Sequence, residues 1–303
     1  MSSSRHDRRA PTELRPLSVT VGQLARADGS GRFAFGESHT LPAPSLAKLI
    51  PTGSTAAVAS LNGPIEVRLR EELPDRATLE VIHRPLEGVG ATSSRALESS
   101  ISALLIPLLN LSQHPRSLIQ LVVQSLSSTT VPSFSDSTND FPEPSSQKSW
   151  APSEAVLSSH TAPASGIPFS SRAASINAAA LAALDAGSVA IRGVPIGVAL
   201  AYIPAESGEG AVLVLDPTPD EEARAIGRYG FGWAFGVGLS ATPHGGMDTD
   251  GEEGEAELVW VESEGQFTRS EFQEALDLSR TAARQILGFV REQLKQRFNE
   301  VKR

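Results

Sequence analysis

Two short segments carry side chains that could handle a phosphate or a divalent ion. The first is Phe169-Ser170-Ser171-Arg172-Ala173-Ala174-Ser175, where Arg172 stands just ahead of a helical run. A guanidinium offers a planar fork of N–H donors that matches phosphate oxygens, and the free amides of a helix N-terminus favour an anion. The second is residues 214–222, with Asp216, Asp220, Glu221 and Glu222 around Pro217 and Pro219. Carboxylates could hold a metal or move a proton there, but a divalent ion needs several converging oxygens. Each segment also has a plainer reading. Arg172 would be a solvated residue after a polar stretch, and the acids an exposed turn at a helix start.

Other chemistries are poorly supplied. The chain has no cysteine, which excludes disulfides, thiolate catalysis and Cys-bound zinc or iron–sulfur sites. Its six histidines, at 6, 39, 83, 114, 160 and 244, include no pair at helical metal-ligand spacing, so no metal and no cofactor are expected. There is no P-loop and no Gly-x-Ser-x-Gly elbow. Gly230, Gly232, Gly236 and Gly238 alternate with aromatics, but no βαβ pattern surrounds them. They read as a strand on which another backbone packs.

The net charge of −9 is uneven. Residues 248–264 hold eight acids and no Lys or Arg, so one stretch supplies nearly all of it. Phosphate contact depends on local cations, and the low overall charge does not forbid it elsewhere. At the other end, residues 1–14 read as a disordered basic arm with Arg5, Arg8 and Arg9, followed by Arg15, and an arm that touches a polyanion such as RNA is the alternative. No apolar run approaches a membrane span, and the first residues lack the apolar core of a secretory signal.

The elements that must position these groups follow from periodicity. Residues 17–83 read as strands: a hairpin at Asp28-Gly29, runs at 54–61 and 65–69 split by Asn62-Gly63-Pro64, and another at 77–83. Leu97, Ile101, Leu104, Leu105 and Leu108 form a helical stripe that Pro107 ends. A strand at 117–126 follows. Residues 127–166 are Ser/Pro-rich, with too few aliphatics to offset the entropy of ordering, and read as a disordered insertion. A helix over 175–186 stops at Gly187. Strands are expected at 196–203, 211–215, 230–239 and 257–261, with an acidic loop at 242–256. Thr268 and Glu271 have capping-box spacing before a final helix. This is an α+β plan in two β-α halves.

Several segments together resemble the RNase PH family. They are Asp28-Gly29-Ser30-x-Arg32-Phe33, Asn62-Gly63-Pro64-Ile65-Glu66-Val67, Leu73-Pro74-Asp75-Arg76-Ala77-Thr78-Leu79-Glu80-Val81, Gln113-His114-Pro115-Arg116-Ser117-x-Ile119 and Ser175-Ile176-Asn177-Ala178-Ala179 through Gly187. Each motif is weak alone. Their order over roughly residues 15–240, with the insertion removed, resembles the small single-domain ring subunits of the eukaryotic RNA exosome. The resemblance implies an RNase PH fold, akin to domain 2 of ribosomal protein S5, over residues 15–303. It also implies a hetero-hexameric ring with other RNase PH-like subunits, RNA-binding cap subunits, a hydrolytic exoribonuclease and RNA. Residence in nucleus, nucleolus and cytoplasm, with roles in rRNA maturation and mRNA decay, belongs to the same implication.

Active members of the family cleave RNA from its 3′ end with inorganic phosphate. By resemblance Arg172 stands at the arginine of their phosphate loop, and Asp216 and Asp220 in their acidic turn. The match is partial. The further aspartates are replaced by Ala223-Arg224-Ala225-Ile226-Gly227-Arg228-Tyr229, and the first helix holds Arg95 alone where active members are Arg-rich. The expectation is therefore a structural, RNA-lining subunit, with a phosphate-dependent 3′–5′ exoribonuclease as the alternative. Arg76, Arg84 and Arg95 are the expected RNA contacts, because the resemblance turns this region toward the channel. Their plainer reading is as solvated surface arginines.

Overall fold

The computed structural model describes residues 5, 9–36, 54–86, 89–127, 166–204, 210–236 and 256–301. The Ser/Pro-rich insertion lies outside them except for its two ends, and so does the acidic loop except for Ala256. Among the described residues nine strands form two sheets. The first contains β1 (Leu17–Val21), β2 (Gly29–Phe35), β3 (Thr55–Glu66), β4 (Thr78–Arg84) and β5 (Ser117–Ser125), in the order β1-β2-β3-β5-β4. β4 and β5 are parallel, which demands a crossover, and helix α1 (Thr92–Leu105) supplies it. The second sheet is antiparallel, with β6 (Val194–Pro204), β7 (Ala211–Leu215), β8 (Gly227–Phe235) and β9 (Ala256–Gly265) ordered β7-β6-β8-β9.

Helix α2 (Phe169–Ala186) lies between the sheets, touching β2, β3 and β5 on one side and β6 and β8 on the other. Fourteen of its eighteen residues are buried, so it must be apolar all round and thin. Its run of alanines meets both needs. The strands comply as well: a Cβ on Gly31 of β2 would fall 2.6 Å from the Ala182 nitrogen, and one on Gly197 of β6 3.0 Å from the Ala173 Cα. Helix α1 packs on β4 and β9, the matching edges of the two sheets. The short α3 (Pro219–Ala223) follows β7, and α4 (Arg269–Val301) covers the second sheet beside β6 and β8. Among the described residues no helix is long and apolar enough to cross a membrane.

The elements differ from the sequence reading in instructive places. Gly29 is not the positive-φ residue of the first hairpin; Gly22 is, at φ 68°. Gly29 instead opens β2 where a side chain would overlap the backbone of Ala186. Asn62-Gly63-Pro64 does not split the strand but forms an irregularity inside β3. The segment at 169–175 is already the first two turns of α2, not a loop before it. Gly230 and Gly232 make room for the Trp260 indole, not for a backbone, and Gly238 lies outside the described residues. Among the described residues of the basic arm, Arg5 is buried and residues 9–14 lead directly into the first sheet.

Candidate functional site

Residues 216–222 lead from β7 into α3 and bring Glu222 against the start of α2. Asp216 follows β7 in a left-handed conformation, φ 49°, which Asp tolerates better than most side chains. Its carboxylate is buried and fully engaged. Arg15 donates from Nε at 2.8 Å and from its backbone nitrogen at 3.0 Å to Oδ2, and from Nη2 at 2.6 Å to Oδ1. Arg15 Nη1 also reaches Thr55 Oγ1 at 3.2 Å, tying the junction to β3. Both Asp216 oxygens therefore face a guanidinium, and they do not fit a divalent ion. Asp220, two residues beyond Thr218, is exposed at the surface of α3.

Thr218 starts α3 with a reciprocal capping box: Glu221 N–H donates to Thr218 Oγ1 at 3.3 Å, and Thr218 N–H to Glu221 Oε2 at 2.8 Å. Arg5 reaches the same Glu221 from Nε at 2.9 Å and Nη2 at 2.8 Å, and donates to the carbonyls of Leu215 and Asp216 at 3.1 Å each. Burial pushes the Glu221 carboxyl up, but the hydrogen bonds and charge of Arg5 outweigh it and hold the group below its ordinary range. Arg5 of the basic arm and Arg15 just after it thus make internal ion pairs, and both are buried.

The N-terminus of α2 is occupied in the same way. Glu222 is buried and accepts from the Ser170 N–H at 3.1 Å and from Ser170 Oγ at 3.2 Å. The amides that would attract an anion already hold a carboxylate of the same chain. Burial pushes Glu222 up to about 7, against the opposing hydrogen bonds from Ser170 and the charge of Arg228. A carboxyl raised from 4.5 to about 7 on folding favours the folded state fully below pH 4.5, and that advantage is lost as pH rises through 7. Glu222→Gln, which keeps an acceptor for the Ser170 amide without the charge, is expected to flatten this dependence. Urea unfolding at pH 5 and pH 8 checks it. The variant should gain on the order of 1–3 kcal/mol over wild type at the higher pH; identical slopes in the two proteins would refute the assignment.

Arg172 sits in the first turn of α2, half-buried over the Phe169 ring at 4.5 Å. Its Nε donates to the Ile167 carbonyl at 2.8 Å, and its Nη1 pairs with Glu262 of β9. Glu262 also accepts from Ser100 Oγ of α1 at 2.6 Å and from Trp260 Nε1 at 2.9 Å. Burial raises the Glu262 carboxyl, and these three donors more than reverse it, so it stays ionised. Arg172 and Glu262 thereby join α1, α2 and β9 at one point. β9 runs beyond the strand expected at 257–261 and continues through Glu262 and Glu264 to Gly265. The period-two alternation around Trp260 was the signal that could have placed Glu262 on a strand. Glu222 carried no such sign.

The three arginines expected at RNA do not form one cluster. All are exposed. Arg84 closes β4, and Arg95 lies in the first turn of α1, at the same end of the crossover; there Glu98 Oε1 accepts from the His83 N–H at 2.8 Å. Arg76 precedes β4 and lies beyond its other end, with the strand's length of about 20 Å between them. Near it stands Arg116, paired with Glu72 at 3.3 Å. Among the described residues no group of three or more His, Asp or Glu could hold a metal ion.

Residues 13–188 match the 3′ exoribonuclease family, domain 1, known as RNase PH. The chain belongs to this family. Among RNase PH relatives, exosome complex component RRP46 of Saccharomyces cerevisiae is 33% identical over 112 residues, which is 37% of this chain and 43% of the relative. Exosome complex component Rrp41 of Pyrobaculum islandicum is 28% identical over 305 residues, covering 97% of this chain and 91% of the relative. The match spans less than half the length of the yeast, fission-yeast and rice Rrp46 relatives. The crystal structure of rice Rrp46 superimposes with a TM-score of 0.62 at 19% identity, covering 95% of this chain and 98% of that one. An Archaeoglobus fulgidus exosome with RNA bound to its active site gives 0.53 at 15% identity, covering 94% and 91%. At these identities the likeness is one of fold, and it carries the RNase PH architecture across both sheets.

Proposed function

We propose that this chain is a structural and RNA-lining subunit of an exosome ring, and that it does not itself phosphorolyse RNA. The observation that carries the second half is Glu222 on the Ser170 amide at the start of α2. Inorganic phosphate would have to displace that buried carboxylate. It would then meet an arginine already committed to Glu262 and an aspartate already committed to Arg15. Similarity to Rrp46 and Rrp41 exosome components supports the first half. The partners are other RNase PH-like subunits in a hetero-hexameric ring, RNA-binding cap subunits and a hydrolytic exoribonuclease that performs the cleavage. In this role the chain supports 3′–5′ RNA processing and decay, including rRNA maturation, in nucleus, nucleolus and cytoplasm. Arg84 and Arg95 at one end, and Arg76 at the other, touch RNA phosphates without reading sequence.

Purification of the tagged chain from its own cells, followed by mass spectrometry of a single sizing-column peak, tests the assembly. Five further RNase PH-like chains, three cap proteins and a hydrolytic nuclease are expected; the chain alone would remove the ring assignment. The purified chain incubated with RNA and inorganic phosphate should release no nucleoside diphosphate. Release that disappears in Arg172→Ala would establish the alternative, a phosphate-dependent 3′–5′ exoribonuclease.

A further inference from the structure

Helix α4 carries a charge pattern that its packing does not require. Ala282, Ala283, Ile286, Leu287 and Val290 are buried and hold the helix to the second sheet. On the solvent side, Arg280, Arg284, Arg291 and Lys295 are all exposed. Together with Gly288 they recur at spacings of four, four, three and four residues. At 3.6 residues per turn they fall within about 80° of one another around the helix. The row is about 22 Å long. Gly288 interrupts the cations but not the surface, since a Cβ there would meet nothing within 4 Å. Glu292 lies on the adjacent flank, and Asp277 stands just before Arg280.

The cations of this row are not spent on internal pairing. Among the described residues Arg284, Arg291 and Lys295 form no ion pair, whereas Arg5, Arg15 and Arg172 all do. Arg280 lays its guanidinium over the Trp233 ring at 5.8 Å, which fixes one end of the row. In a chain of net charge −9, these four aligned cations, with Glu292 the one carboxylate within the span and on its flank, form a local positive strip. Its length and one-dimensional shape suit a linear polyanion better than a single anion.

We infer that the Arg280–Arg284–Arg291–Lys295 face of α4 binds the phosphate backbone of a single RNA strand. The choice of RNA among polyanions rests on the ribonuclease family reading; the presence of an anion-binding strip does not. Contact would be to phosphates only, so binding is indifferent to sequence and falls steeply with salt.

The test uses the full chain and a labelled single-stranded oligoadenylate, with affinity measured across a salt series. The variant is Arg284→Glu with Arg291→Glu and Lys295→Glu, all exposed positions, with a thermal melt to establish that it folds. Affinity at low salt is expected to fall at least tenfold. The slope of log affinity against log salt should shrink by about 2, as removal of three single-strand phosphate contacts requires. Unchanged affinity and slope in the folded variant would overturn the inference. Tighter binding of polyglutamate than of oligoadenylate at equal salt would also overturn it, and would assign the face to an acidic protein. Recovery of ring partners in the purification above is independent. A chain that assembles but ignores the strip fails only here, and a chain whose strip binds RNA without partners fails only the ring assignment.

Discussion

Arg15→Ala is expected to lose about 3–5 kcal/mol of unfolding free energy, the largest effect of any single substitution at the junction. Both partners are almost completely buried, with side-chain exposures of 3% for Arg15 and 2% for Asp216. Removing the guanidinium strands a carboxylate whose two oxygens it served, and leaves the Arg15 backbone amide and Arg9, 3.9 Å away, as the remaining partners. A buried charge without its counterion costs far more than the pair contributes when intact. The double replacement Arg15→Met with Asp216→Leu is therefore expected to lose less than Arg15→Ala alone. Urea midpoints of the three proteins decide it. A single-variant loss below about 1 kcal/mol would mean that Arg9 takes over the pairing. The pair ties the residues ahead of β1 to the turn after β7, so its loss should also loosen the α3 turn that delivers Glu222 to α2.

Gly31→Ala is expected to lose about 3 kcal/mol, a methyl group acting entirely through overlap. Its Cβ would run into the Leu181 side chain and fall 2.6 Å from the Ala182 nitrogen. The obstacle is the backbone of a helix held on both faces, which has no direction in which to retreat. Gly288→Ala is the matched contrast. It sits on the exposed side of α4 with open space around it, and is expected to gain about 0.5–1 kcal/mol because alanine favours helix. Calorimetric melting temperatures should move in opposite directions for the two variants. A Gly31→Ala protein as stable as wild type would mean that α2 and β2 are not in the close contact described.

The two glycines also mark where reading the chain stops being enough. Period-two and helical patterns placed most strands and helices within a few residues, the start of α2 excepted, because those patterns express which face of each element avoids water. The small residues at 175–186 announced a helix able to pack closely. The motif order announced the family, and Pro107, Gly187 and the Thr268–Glu271 pair each ended or began a helix as local chemistry requires. Which charges are spent inside the molecule could not be read this way. Arg15 and Asp216 lie 201 residues apart, Arg172 and Glu262 are 90 apart, and Ser170 and Glu222 are 52 apart. A residue type and its neighbours in sequence set what a side chain can donate or accept. Its partner is chosen by the stacking of two sheets around α2. Thus the sequence by itself determined the elements, the family and the candidate phosphate-handling residues. Only the tertiary structure decided that Arg172, Asp216 and the amides of α2 face the chain's own groups, because burial makes every such group find a counterpart among whatever the fold brings near.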